Sequence, residues 1–129
     1  MEGYSHTNLN DVEDAAAKHG FSHIGEARFA NSDLDTEQTG VSFHRLKANA
    51  RQAFGHRHEE AEEVYVVIAG SGRAKLDEEV VELSDRDALR VSAGVMHALE
   101  AGPDGLEVLA FGPRRPDDRG EIVTDWWSD

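Results

Sequence analysis

The sequence predicts an antiparallel β-sandwich or barrel, on three observations. Short runs rich in Val, Ile, Phe and Tyr recur along the chain: FSHIGEARFA, GVSFHRLKA, EEVYVVIAG, GRAKLD, EEVVEL, DALRVS, HALEA and LEVLAFG. Such side chains suit a pleated, half-buried surface. Turn formers separate the runs, at Gly40, Gly70-Ser71-Gly72, Asp77-Glu78, Ser92-Ala93-Gly94 and Gly102-Pro103-Asp104-Gly105. Strands this short and this regularly spaced build all-β architectures. Finally, 129 residues make one compact domain, long enough to bury roughly two-thirds of the unfolded chain's surface.

Taken in order, the elements begin with a short helix over DVEDAAAKHG. Asn10 or Asp11 caps it, acidic residues fill its first turn, Lys18 and His19 its last, and Gly20 stops it. The strands follow. EEVYVVIAG reads as a buried strand ending in a glycine turn, and Gly-Pro-Asp-Gly as the hairpin between HALEA and LEVLAFG. After Gly112 the segment PRRPDDRGE reads as a solvated loop, and the chain ends in IVTDWWSD. Adjacent Trp126 and Trp127 are expected to cover the barrel or an interface between subunits, the alternative being a lid over a ligand.

The formal charge is −13, with 26 acidic and 13 basic side chains. Nucleic-acid backbones and anionic membranes both call for clustered Lys and Arg, so neither is expected as a partner. The excess charge is read as self-repulsion that favours solubility. Arg45, Lys47 and Arg51 form a small basic segment near the candidate site, which keeps an acidic substrate open. No stretch nears the roughly 20 apolar residues of a membrane span. The start, MEGYSHTNLNDVED, has neither a basic region nor an apolar core of the secretory kind, so a cytoplasmic location is expected. Without cysteine, a metal must be held by imidazole and oxygen.

The segment that carries chemistry is GHRHEEAEEVYVVIAG, residues 55–70. His56 and His58 are two apart, which on a strand puts both imidazoles on one face. After a polar turn, Glu63 begins the next strand and can return a carboxylate to the same place. His97, in SAGVMHALEA, offers a fourth donor. Three imidazoles and one carboxylate suit one divalent transition metal: Mn, Fe, Ni, Co, Cu or Zn. They leave it a net charge of about +1 and room for further ligands, unlike a closed, cysteine-rich structural zinc site. By parity Gln52 and Phe54 share the inward face of His56, Tyr65 and Val67 that of Glu63, and Leu99 that of His97, so these residues are the expected pocket lining. Glu63 and Tyr65 are the candidate proton carriers. His44, on a face with Ser42 and Leu46, is read as a packed or surface residue rather than a ligand.

These residues resemble the two motifs of the cupin family. The first motif's core is His-x-His, three or four residues, Glu, six residues, Gly; His56, His58, Glu63 and Gly70 fall on it, with Ala50 where the opening glycine stands. RDALRVSAGVMHALEA resembles the second motif through Gly94 and His97, with Arg86, Ser92 and Ala101 in place of its Gly, Pro and Asn. The resemblance implies a jelly-roll, or double-stranded β-helix, barrel with a short N-terminal helix. Residues 41–112 would form the cupin core, 1–40 a helix and strands packed on it, and 113–129 a tail. It further implies a metal inside the barrel, a small-molecule ligand and a homodimer. The function expected first is a metal-dependent enzyme of dioxygenase type acting on a small oxygen-rich molecule. The alternatives are an isomerase or lyase, and a non-catalytic binding module.

Overall fold

The computed structural model describes residues 3–118 and 120–127. Eight strands form one curled, antiparallel sheet: β1 (Gly25–Phe29), β2 (Thr39–Leu46), β3 (Phe54–Arg57), β4 (Glu63–Leu76), β5 (Glu79–Leu83), β6 (Ala88–Val91), β7 (His97–Pro113) and β8 (Glu121–Thr124). The strand order is β1-β2-β7-β3-β8, and β4 pairs with β5, β6 and β7. This is the predicted all-β barrel. No helix among the described residues is long and apolar enough to cross a membrane.

The helical content is smaller than the sequence suggests. A 3-10 turn at Leu9–Asp11 is followed by α1 (Ala15–Lys18), and a second short helix, α2 (Asn31–Leu34), precedes β2. The cap of α1 is Asp14, whose Oδ1 accepts from the Ala16 N–H and also from the Ala27 N–H of β1, both at 3.0 Å. That double role ties the helix start to the sheet and shortens the helix expected from Asp11 onward.

Two expected turns are not turns. Gly70-Ser71-Gly72 lies inside the continuous β4, and Gly102-Pro103-Asp104-Gly105 inside the continuous β7, so the predicted glycine turn and the predicted hairpin are both corrected. Pairing jumps from Gly72 opposite Ala101 to Gly70 opposite Leu106. Two steps on β4 therefore face five on β7, and the surplus is absorbed as a bulge. The bulge switches the inward parity of β7 from odd (Leu99, Ala101) to even (Leu106, Val108, Ala110), all of them buried. One long strand can thereby bend around the barrel and keep its apolar side inside.

The core consists of Leu46, Tyr65, Val67, Ala74, Leu83, Val91, Leu99, Ala101, Leu106, Val108 and Ala110. Val67 and Leu99, expected to line the pocket, are each 1% exposed and belong to this packed region instead. Their inward parity is right, but they lie at the level where side chains fill the barrel. Replacing Leu99 with alanine is expected to cost about 2–5 kcal/mol, the range for emptying a buried leucine site. Denaturant unfolding of the metal-free protein measures it.

The C-terminal segment is more ordered than a solvated tail. β8 pairs with β3, and Trp126 packs so closely on Gly55 that a Cβ there would lie 2.7 Å from the indole Cγ. The Lys75 ammonium stands 4.2 Å over the Trp126 ring, and the Arg51 and Arg73 guanidinium groups lie 4.8 and 5.4 Å from that of Trp127. Both tryptophans thus lie against the barrel wall.

Candidate metal centre

β3 carries His56 and His58, β4 opens with Glu63, and β7 opens with His97. The ladder places His56 directly opposite His97, with their ring centroids 4.2 Å apart. Glu63 Oε1 is the focus of the cluster, at 3.5 Å from His56 Nε2, 3.0 Å from His58 Nε2 and 3.1 Å from His97 Nε2. All four predicted ligands are therefore together. His56, Glu63 and His97 satisfy the tighter condition of donor atoms all within 4.8 Å of one another; His58 reaches the same carboxylate oxygen from the side.

The donor chemistry fits a metal. Donor atoms bound about 2.1 Å from a common ion lie roughly 3.0–3.4 Å apart in octahedral or tetrahedral geometry, and the spacings about Glu63 Oε1 are of that size. His97 Nδ1 is 2.9 Å from the Val95 carbonyl, so the ring's N–H is committed there and the neutral imidazole turns a bare Nε2 lone pair toward Glu63. Two lone pairs 3.1 Å apart are an arrangement that a cation relieves.

The surroundings tune these groups. Burial alone would raise the carboxyl pKa of Glu63, but hydrogen bonds from His56 and His58 outweigh it. They hold the group far below the usual carboxylate range. Donating that hydrogen bond to Glu63 raises the pKa of His58, against partial desolvation. The Tyr65 hydroxyl lies 3.0 Å from His97 Nε2 and 3.3 Å from Glu63 Oε1. Burial first, then the Glu63 charge, push its phenol well above the ordinary tyrosine value, so it remains a donor. The second motif's glycine has a defined task too: Gly94, at φ +86°, donates its N–H to the His58 carbonyl at 2.8 Å. Arg86, standing where the motif has its leading glycine, adopts that left-handed backbone as well, at φ +72°.

The cluster opens into a cavity of about 1240 Å³, whose walls include Gln52, Phe54, His56, His58, Glu63 and Tyr65. Gln52 Oε1 accepts from the Leu99 N–H at 2.9 Å, which fixes that side chain. Apolar groups dominate the wall: Phe21, Phe29, Val41, Phe54, Phe111 and Ile122. The basic segment does not reach it. Arg45 pairs with Glu26 at 2.7 Å, Arg51 with Glu100, and Arg45 and Lys47 line a separate surface groove. The cations of the cavity are Arg57, Arg114 and Arg115 instead. Sequence reasoning also under-read His44. It lines the cavity, shares a 2.9 Å hydrogen bond with Ser42 and stacks edge-on against Phe29. Burial, with the nearby His56 and against Glu63, pushes its pKa down to about 4. Its alternation with Ser42 was the one available signal. Asp118, far along the chain, carried none.

Residues 42–111 match the family model described as a cupin domain. Among solved structures, the chain is similar to a cupin protein from Bacteroides fragilis, with 22% identity, a TM-score of 0.72, and coverage of 100% of this chain and 99% of that one. It is also similar to a cupin-superfamily sugar phosphate isomerase from Silicibacter pomeroyi, with 19% identity, a TM-score of 0.74, and coverage of 94% and 82%. A variant of salicylate 1,2-dioxygenase from Pseudoaminobacter salicylatoxidans aligns at 20% identity and a TM-score of 0.65, over 84% of this chain and 34% of that one. No curated protein sequence matches the chain. At these identities the structural likenesses establish the fold alone.

Proposed function

We propose that this chain, which belongs to the cupin domain family, is a metal-dependent enzyme of dioxygenase type acting on a small oxygen-rich molecule with an apolar body. The observation that carries the proposal is the convergence of His56, His58, Glu63 and His97, the first three of which line a large, mostly apolar cavity while His97 is buried beside them. A donor set placed there faces ligand rather than sealed protein. A divalent transition metal held by those residues would supply Lewis acidity and, if redox-active, chemistry with dioxygen.

The protein's own groups do the positioning. Phe29, Phe54, Phe111 and Ile122 give an apolar body a wall to lie against, and His44 with Ser42 offers a polar contact. Glu63, held as an anion, is a weak base, and the raised phenol of Tyr65 is a weak acid. Tyr65, whose hydroxyl reaches both His97 Nε2 and Glu63 Oε1, is therefore suited to hold those donors in place more than to move a proton.

Protein purified without chelator is expected to contain close to one equivalent of transition metal by elemental analysis. Oxygen uptake on presentation of catechols, flavonols or β-diketones is expected with iron, manganese, nickel or copper and not with zinc. Tight ligand binding without oxygen uptake for any metal would replace the enzyme reading with the binding-module one.

A further inference from the structure

The strand that carries two of the four ligands is fastened to β7 mainly ahead of its start, where Arg51 bridges to Glu100 and the Gln52 N–H donates to the Leu99 carbonyl. β3 has a single ladder pair with β7, His56 opposite His97. Its other edge has four pairs with β8: Phe54 with Thr124, Gly55 with Val123, His56 with Ile122 and Arg57 with Glu121. An ion pair between Arg57 and Glu121 reinforces that edge. Trp126 then folds onto Gly55, and its carbonyl accepts from the Lys75 ammonium of β4.

The turn after β3 is held by the same segment. The Asp118 carboxylate accepts three successive backbone N–H groups: Glu59 at 2.9 Å, Glu60 at 3.2 Å and Ala61 at 2.8 Å. Successive amides converging on one anion form a rigid local arrangement. This one spans the residues between His58 and Glu63. With Gly94 holding the His58 carbonyl from the opposite side, the backbone of that ligand is clamped between the second motif and the tail.

We propose that Asp118 and the strand β8 form a positioning frame for the metal centre, so that metal affinity depends on residues outside the matched segment 42–111. The proposal rests on reading His56, His58, Glu63 and His97 as a metal site. Its physical basis is preorganisation. Ligand side chains must be held to within about 0.5 Å for tight coordination, and beyond Gln52 a single barrel pair leaves the end of the strand that carries His58 to be held by other contacts. Coupling of this kind is reciprocal: a frame that tightens the site is itself tightened when metal binds.

The test uses the full chain and zinc as the probe, titrated against a chromophoric chelator at neutral pH. Asp118→Ala is expected to weaken zinc binding by about 10- to 100-fold, the usual effect of losing a group that orients a ligand. Asp118→Asn, which keeps one carbonyl acceptor, should recover part of the loss. Arg90→Ala, which removes the exposed 3.2 Å pair with Glu62, should bind as wild type. In wild type, zinc should slow amide hydrogen exchange at residues 59–61 and 121–124, and Asp118→Ala should abolish that protection at 59–61. If Asp118→Ala does not fold, Asp118→Asn and Trp126→Ala carry the comparison. A folded Asp118 variant that binds zinc as tightly as wild type overturns the proposal, as does zinc binding that leaves exchange at 121–124 unchanged. Wild type that binds no zinc, nickel or manganese overturns the metal reading itself, and this proposal with it.

Discussion

Glu63→Gln is expected to lower divalent-metal affinity by at least about 100-fold, the upper end of what even indirect partners of a metal ligand cost. The substitution preserves shape and removes the only negative charge among the four donors. Three neutral imidazoles would then face the full charge of the ion. The glutamine amide would also turn either a weaker acceptor or an N–H donor toward the three Nε2 atoms now within 3.5 Å of Oε1. Protons compete with metal for these atoms. The His58 pKa is raised, chiefly by its hydrogen bond with Glu63, so wild-type affinity should begin to fall already above the ordinary histidine value of about 6.5 as pH decreases. Without the carboxylate, that fall should begin at lower pH. In the metal-free protein the same contact works with opposite sign. It stabilises the fold fully below His58's unfolded-chain value and is lost as pH rises through the raised folded one. Competition titrations from pH 5 to 8 on both proteins read the affinity terms. Equal affinities at pH 8 would remove Glu63 from the ligand set.

The candidate ligands were legible because their signals are local. His-x-His on a strand fixes a common face whatever the rest of the fold does, and the six-residue offset to Gly70 singles out Glu63 from the run of acids before it. One departure from the second motif falls at a special backbone position: Arg86 adopts a left-handed conformation of the kind that favours glycine. What the sequence hides is depth and closure. Parity correctly turns Val67 and Leu99 inward, but parity does not say how far along the barrel the cavity ends, and both residues lie where it is filled. The alternation of His44 with Ser42 does not say that the curl of β1 and β2 brings this packed residue to the cavity wall. Asp118 sits in a polar stretch indistinguishable from a solvated loop. Its role exists only because β8 returns to the edge of β3.

The glycines of β4 teach the same lesson through energetics, and Gly70→Ala is expected to be strongly destabilising, because it combines a left-handed backbone with a backbone collision. A turn would tolerate it at modest cost. Here Gly70 has φ +84° inside a strand, and an added Cβ would stand 2.9 Å from the Gly105 carbonyl carbon and closer still to its oxygen. The obstacle is backbone, so no side chain can rotate aside, and the strands β4 and β7 would have to part where β7 bulges past. The left-handed conformation alone costs about 1–2 kcal/mol for a residue with a Cβ. The collision should bring the total to about 4 kcal/mol or more, the range reserved for overpacking and backbone strain. Gly20→Ala separates the two terms. Gly20 has nearly the same φ, +83°, with nothing within 4 Å of the added atom, so it should lose only the conformational part. Denaturant midpoints of the two variants against wild type decide the matter. If they match, the close approach of β4 to β7 at Gly70 contributes nothing, and the bend that lets both long strands wrap the barrel does not depend on a glycine there.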